Sequence, residues 1–395
     1  MMRSLILNKC RSLLIKVYSV LFQLFALLPR NNKLILFESY SGKQFSCNPR
    51  AIYEYLQENK DRYDYKLIWS IDKRYMSALE GVDVAYIKRF SFKWLWYMAT
   101  AKFWITNSRL PLWIPKPKKT LYVQTWHGTP LKKLANDMDE VHMPGTTTEK
   151  YKQNFLREAS KWDYLISPNA YSTNIFRSAF QFKKTFIESG YPRNDFLHKE
   201  NRKKEMLKIK ERLGINSEKK IILYAPTWRD NSFYAQGKYK FNMVLDLESL
   251  KNQLSNEYIL ILRMHYLVSE NINLTKYKEF AYDFSDHNDI RELYLISDIL
   301  ITDYSSVFFD FAGLKRPILF YVPDIEFYRD KLRGFYYDFE KCAPGPLLKT
   351  TEKVIEAIHQ TKHYKQDENI TSFYDQFCYL EKGNSSKKVV EEILG

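Results

Sequence analysis

Two histidines, each directly behind an apolar run, head the chemistry that this sequence suggests. His127 lies in Gln124-Thr-Trp-His127-Gly-Thr-Pro-Leu-Lys-Lys133, where a strand-like run ends at an imidazole. Imidazole titrates near neutrality, so His127 can take the proton of an attacking hydroxyl or serve as a buried, hydrogen-bonded strut. Gly128 permits close backbone approach, and Thr129-Pro130 reads as a helix cap and first turn whose free N–H groups would face an anion. In Leu262-Arg263-Met264-His265 the two cations are two residues apart on an extended segment, hence on one face, which suits a pair gripping one phosphoryl group or a solvated strand end. In Ala225-Pro226-Thr227-Trp-Arg229-Asp230, Thr227 and Arg229 are placed to donate to a phosphate, although Arg229 and Asp230 alone make an ordinary turn. Ser297 to Gly313 reads strand, turn, helix. Ser305 or Ser306 would cap the helix, and Asp310, four residues past Ser306, would share its face and accept from a ribose or polyol.

Elements that would position these groups alternate along the chain. Lys33–Glu38, Lys66–Ser70, Asp83–Ile87, Phe103–Thr106, Leu121–Thr125 and Tyr164–Ser167 are strand-like. A charged helix from Lys199 to Arg212 precedes a second series, Ile221–Tyr224, Tyr258–Leu262, Asp298–Thr302 and Ile318–Tyr321. Continuous apolar runs suit parallel strands covered on both faces, and ligands of such sheets bind beyond the strands' carboxyl ends. The expected organisation is a helix over residues 1–30, an α/β domain over 31–205 and a second over 206–395.

The 395 residues leave room for two cores, and 45% hydrophobic residues with only 12 glycines and 14 prolines exclude a disordered or fibrous chain. With 61 Lys+Arg against 46 Asp+Glu, the net charge of +15 favours nucleic acid, anionic lipid or phosphate-rich small molecules as partners. Cys10, Cys47, Cys342 and Cys378 form no CxxC pair, which points away from zinc and a disulfide framework and toward a reducing compartment. No Walker A loop and no GxGxxG follows a strand, and Asp137-Met-Asp139 lacks the setting of a metal site. No cofactor or metal is expected.

The first acidic residue is Glu38, whereas Arg3, Lys9, Arg11, Lys16, Arg30 and Lys33 surround the apolar stretch Val17–Leu28. That stretch falls short of the roughly 20 residues needed to span a bilayer, so an amphipathic helix lying on anionic headgroups is expected; a helix packed on the protein itself is the alternative.

Taken together, Trp126-His127-Gly-Thr-Pro130-Leu-Lys, Ser189-Gly-Tyr-Pro-Arg193-Asn-Asp, Tyr224-Ala-Pro-Thr227-Trp-Arg-Asp, Arg263-Met-His265 and Thr302-Asp-Tyr-Ser-Ser306 resemble the CDP-glycerol glycerophosphotransferase family, the teichoic acid primases and polymerases, from about residue 33 onward. The resemblance implies a GT-B fold, two Rossmann-like domains facing across a cleft with the nucleotide mostly in the second, and peripheral association with the cytoplasmic membrane face. It implies catalytic roles for His127 and His265. It also implies donor contacts from Trp126, Gly128, Thr129, Pro130, Arg193, Pro226, Thr227, Arg263, Met264, Ser305, Ser306 and Asp310. Where many members carry an Asp-Gly stretch near the end, this chain reads Glu381-Lys-Gly383, which leaves a nucleotide contact there open.

The expected reaction is attack by a hydroxyl of a lipid-linked acceptor on the β-phosphorus of CDP-glycerol or a related CDP-polyol, releasing CMP. Either histidine can be the base. A GT-B glycosyltransferase using a nucleotide sugar is the rival enzyme. A basic nucleic-acid-binding protein is the rival of another class, disfavoured because the aromatics lie inside apolar runs instead of on a basic face. No nucleic acid is expected as a partner.

Overall fold

Runs that are apolar on consecutive residues become the strands of two wholly parallel sheets, as burial on both faces requires. The structure is a computed structural model and describes residues 2–141, 145–215, 218–227, 233–235, 238–239, 244–264, 273–363 and 368–395. The first sheet contains β1 (Asn31–Glu38), β2 (Lys66–Ile71), β3 (Tyr86–Lys88), β4 (Ala101–Thr106), β5 (Leu121–Gln124), β6 (Tyr164–Ser167) and β7 (Thr185–Glu188) in the order β3-β2-β1-β4-β5-β6-β7. The second contains β8 (Lys220–Tyr224), then, past the small antiparallel pair β9 (Phe233–Ala235) and β10 (Lys238–Tyr239), β11 (Tyr258–Leu262), β12 (Ala281–Asp283), β13 (Ile299–Thr302), β14 (Ile318–Tyr321) and β15 (Leu347–Leu348). Its order is β12-β11-β8-β13-β14-β15. The chain is therefore α/β with two doubly wound sheets.

Strand order reverses between β1 and β4 in the first sheet and between β8 and β13 in the second. Such switch points splay the connecting loops apart and leave a crevice beyond the strand ends. Register there is fixed by long pairings, β1 on β4 through Phe37↔Ile105 and β8 on β13 through Tyr224↔Ile301.

The first core is aromatic, with Trp69, Trp94, Trp104 and Trp162 fully buried; the second sheet is covered on one face by Phe308, Phe311 and Phe373 and on the other by Leu250, Leu254 and Val354. The chain enters the second sheet through the Arg202–Arg212 helix and comes back at its end: Val389, Val390 and Ile393 of the Ser385–Leu394 helix belong to the first core.

The amino-terminal helix Met2–Phe25 is split by face. Phe22 is buried, Tyr18, Leu21 and Phe25 pack on the first core, and the Tyr18 hydroxyl donates to the Phe90 carbonyl at 2.9 Å. Leu13, Leu14, Val17, Val20 and Leu24 are exposed, as are Leu27 (82%), Leu28 and, on the neighbouring Phe92–Thr100 helix, Phe92 (65%) and Trp96. Among the described residues no helix is long and apolar enough to cross a membrane.

Candidate functional site

Both switch points open onto one cleft of about 330 Å³. From the first sheet come Tyr40 and Cys47 after β1, Trp126, His127, Gly128, Thr129 and Pro130 after β5, and Arg193 after β7. From the second come Pro226 and Thr227 after β8, Arg263 and Met264 after β11, and Ser305, Ser306 and Asp310 after β13. Eleven of the thirteen described candidate residues need no more than the strand ends to bring them together; Arg193 arrives on a 3-10 turn, Pro192–His198, and Asp310 on the Val307–Ala312 helix. His265, with Trp228, Arg229 and Asp230, lies outside the described residues.

The His127 ring is held from two sides. Its Nδ1 pairs with the carbonyl of Asn107, just past β4, at 2.7 Å, and its face and edge meet Trp126 (4.7 Å between centroids) and Tyr40 (5.7 Å). A carbonyl only accepts, so Nδ1 carries the proton and Nε2 keeps its lone pair. Burial lowers the imidazole pKa to about 4, the nearby Arg193 cation adds to the shift, and the Asn107 bond opposes it. A neutral imidazole whose Nε2 keeps its lone pair can accept a proton there.

This wall is built on strained backbone. Tyr40, Cys47 and Trp126 all adopt positive φ, at 45°, 65° and 50°, a conformation costing non-glycine residues about 1–3 kcal/mol each. Hydrogen bonds hold it in place. The Tyr40 N–H donates to Asn107 Oδ1 at 2.8 Å and the Trp126 N–H to Gln124 Oε1 at 3.0 Å. Asn48, fully buried at the start of the Cys47–Glu58 helix, donates to the carbonyls of Thr125 and Trp126 at 3.1 Å each and accepts from the Arg193 N–H at 3.2 Å.

No helix begins at Thr129-Pro130, contrary to expectation, because tertiary partners from both halves capture the segment. Leu131 is buried in the second core, the Tyr336 N–H donates to the Leu131 carbonyl (2.8 Å), the Lys133 N–H to the Gly334 carbonyl (3.2 Å), and the Tyr171 hydroxyl to the Pro130 carbonyl (2.7 Å). The segment is a strap across the molecule. Gly128 permits it, since a Cβ there would sit 2.5 Å from Ser306 Oγ.

Ser306 does precede the Val307–Ala312 helix, but its hydroxyl makes no capping bond, so it faces Gly128 and the cleft instead of its own helix. Asp310 shares that helix, yet its carboxylate is spent within the protein: it takes Arg193 Nη2 at 2.8 Å and Nε at 3.2 Å, and Asn194 Nδ2 at 3.0 Å. Asp310 therefore aims Arg193, whose Nη1 lies 3.3 Å from Cys47 Sγ. The Thr227 N–H is tied to Asp303 Oδ1 at 2.8 Å. Arg263 Nη1 donates to the carbonyls of Phe284 and Ser285, and Met264 N–H to Ser285 Oγ at 3.0 Å, which keeps this strand end rigid. Burial lowers the Arg263 pKa from its ordinary value, the expected cost of taking a cation out of water.

Sequence reasoning passed over the ion cluster that closes one end. Asp289 takes Arg291 Nη2 at 2.6 Å and, from the first half, Arg50 Nη1 at 3.1 Å, while Arg50 Nε also reaches Glu54 at 2.6 Å. The two arginines hold the Asp289 carboxyl far below the carboxylate range against its burial. Only the Asn48-Pro49 pair at a helix start and the Asp-x-Arg spacing of 289 and 291 hinted at these roles. Asp137 and Asp139 diverge: Asp137 Oδ2 accepts from Ser178 and Tyr336, and Asp139 pairs with Lys133. Glu381, the acidic residue near the end, is buried away from the cleft lining, its Oε1 accepting from the Tyr191 N–H at 3.0 Å.

The sequence pattern of a family described as CDP-Glycerol:Poly(glycerophosphate) glycerophosphotransferase matches residues 20–395. The chain is 86% identical over 394 residues, 100% of both chains, to a teichoic acid poly(glycerol phosphate) polymerase of Bacillus spizizenii. It is 47% identical to a teichoic acid glycerol-phosphate transferase of Staphylococcus aureus, over 94% of this chain and 95% of that one. A solved structure of the wall teichoic acid polymerase TagF superimposes with a TM-score of 0.86 at 42% identity, covering 98% of this chain and 95% of that chain.

Proposed function

Because the chain belongs to the CDP-glycerol:poly(glycerophosphate) glycerophosphotransferase family, we propose that it transfers glycerol phosphate from CDP-glycerol to a hydroxyl of a lipid-linked saccharide or growing polyol-phosphate chain, in teichoic acid synthesis. The acceptor oxygen attacks the β-phosphorus of CDP-glycerol. A phosphodiester P–O bond forms, the bond from that phosphorus to the bridging oxygen breaks, and CMP leaves with the electron pair. His127 Nε2 takes the hydroxyl proton. The observation that carries this reading is the fixed tautomer: Nδ1–H bonded to the Asn107 carbonyl in a ring kept neutral, at the mouth between two switch points.

Charge develops on the transferring phosphoryl and on CMP, and the cations that meet it are Arg193 from the first half and Arg263 from the second, with His265 beside Arg263 in sequence. Hydroxyls of Ser305, Ser306 and Thr227 add neutral donors. The two arginines are already held by the protein, so little reorganisation is needed at the moment of transfer. Residues 31–205 would present the acceptor and residues 206–395 the CDP-polyol, apart from the Ser385–Leu394 helix, which packs on the first sheet.

An acceptor carried on lipid calls for a protein resting on the membrane. The exposed apolar face of the Met2–Phe25 helix, continued by Phe92 and Trp96 and followed by Arg30 and Lys33, suits insertion into an anionic surface. Donor profiling tests the reaction. Purified protein with a lipid-linked acceptor is expected to release CMP from CDP-glycerol, with products longer by glycerol phosphate units in the mass spectrum. Release of UMP or UDP from UDP-sugars, with no CMP, would assign the glycosyltransferase chemistry instead.

A further inference from the structure

Four side chains, each more than nine-tenths buried, form a polar row where the two halves meet the returning C-terminal segment: Glu381, Asn194, Asp310 and Arg193. Asp310 grips Arg193 through Nε and Nη2, Asn194 Nδ2 donates to Asp310 Oδ1 at 3.0 Å, and Glu381 Oε1 accepts from the Tyr191 N–H at 3.0 Å. One link is mismatched. Glu381 Oε2 and Asn194 Oδ1 are both buried acceptors without a partner, and Tyr191 brings the two residues together: its N–H donates to Glu381 Oε1, and its carbonyl accepts from the Asn194 N–H at 2.9 Å. Turning the amide over would offer Nδ2 to Glu381 but set Oδ1 against the Asp310 carboxylate, and a buried polar atom left unsatisfied costs about 1–3 kcal/mol. A single proton removes the conflict.

We propose that Glu381 is a positioning residue for Arg193: its protonated carboxyl donates to Asn194 Oδ1, fixes the amide with Nδ2 on Asp310, and so holds the Asp310 carboxylate bidentate on the guanidinium at the cleft. The surroundings favour that proton. Burial and the nearby Asp310 carboxylate raise the Glu381 pKa to about 8, against the Tyr191 N–H, Asn194 and the Arg193 cation. Tyr374 and Cys378 face it from the preceding segment as neutral groups whose own pKa values are raised, and Asp195 is turned away to cap the N–H groups of Ser385 and Ser386 at 2.8 and 2.7 Å. Gly190, at φ +82°, makes the seat, since a Cβ there would stand 3.3 Å from Glu381 Cδ and 2.7 Å from Ser385 Oγ. The sign follows. Below about pH 8 the row is intact; as pH rises through that value Glu381 ionises, the amide turns, and Arg193 loses its brace.

The proposal rests on the reading of Arg193 as a cation facing the diphosphate, and the test separates the two. KM for CDP-glycerol and kcat are measured from pH 6 to 9.5 for wild type, Glu381→Gln, Glu381→Ala and Arg193→Lys, with thermal melting of each. Glu381→Gln keeps a neutral donor, so its KM at neutral pH stays at the wild-type level and loses the rise that wild type shows through about pH 8. Glu381→Ala raises KM by about tenfold or more at neutral pH, with a smaller effect on kcat. Superimposable KM profiles for wild type and Glu381→Gln, or a glutamine variant as defective as the alanine one, overturn the proposal; should the alanine variant fail to fold, the glutamine profile alone decides. A wild-type KM in Arg193→Lys overturns the reading of Arg193 itself.

Discussion

In the proposed reaction His127 acts as a base only while neutral, and its surroundings keep it so. Burial and Arg193 lower its pKa to about 4, so the acid limb of kcat/KM for the free enzyme is expected well below the ordinary imidazole value of about 6.5. A limb at or above 6.5 would contradict this. The same shift makes the unfolded chain bind more protons than the native one between these two values, so His127 lowers native stability as pH falls from 6.5 toward 4. A His127→Gln variant is expected to show a shallower loss of melting temperature over that window. Residues of this kind were legible because strand ends announce them: an apolar run followed by His127, Thr227, Arg263 or Ser306 places a polar group at a crevice before any fold is known. Asn48, Tyr40 and Asp289 were not legible, since each works through a partner 67 to 239 residues away.

Two elements carry the site, the strap after β5 and the start of the Cys47–Glu58 helix. Gly128→Ala would drive a methyl into Ser306, at a cost of about 1–3 kcal/mol in melting experiments, and Ser306→Gly in the same chain is expected to recover most of it. Additive losses in the double variant would mean that the strap does not press on Ser306. Asn48→Ala strips partners from two buried carbonyls and one N–H, and a loss of about 2–4 kcal/mol is expected from chemical denaturation. A loss below about 1 kcal/mol would show that those groups find other partners. Of the strands in the two parallel sheets, ten followed from their apolar runs, whereas β7, β12 and β15 did not. They are short and lie at or next to sheet edges, and β7 buries only Ile187, so they lack the continuous hydrophobicity that marks a central strand. Thr129-Pro130 misled for a related reason: cap-like residues state a local preference, and Leu131 buried in the far core overrides it.

At the scale of the whole molecule, alternation of strands and helices was enough to give two parallel sheets, but not the route of the chain between them. The Ser385–Leu394 helix is amphipathic in any fold, and only packing decides that Val389, Val390 and Ile393 join the first core. The amino-terminal helix packs one face on the protein, as the alternative reading expected, and leaves the other exposed. Leu13→Glu with Leu24→Glu on that exposed face is expected to reduce cosedimentation with anionic vesicles while leaving the melting temperature unchanged; undiminished cosedimentation would remove the helix from membrane binding. The proposed reaction has a base from one sheet and cations from both meet one phosphoryl group. The direct check is CMP release from CDP-glycerol in the presence of acceptor by His127→Ala, with binding of CDP-glycerol measured alongside. Turnover is expected to fall by about 10²–10⁴ with donor affinity largely kept; turnover near the wild-type rate would contradict a base at position 127.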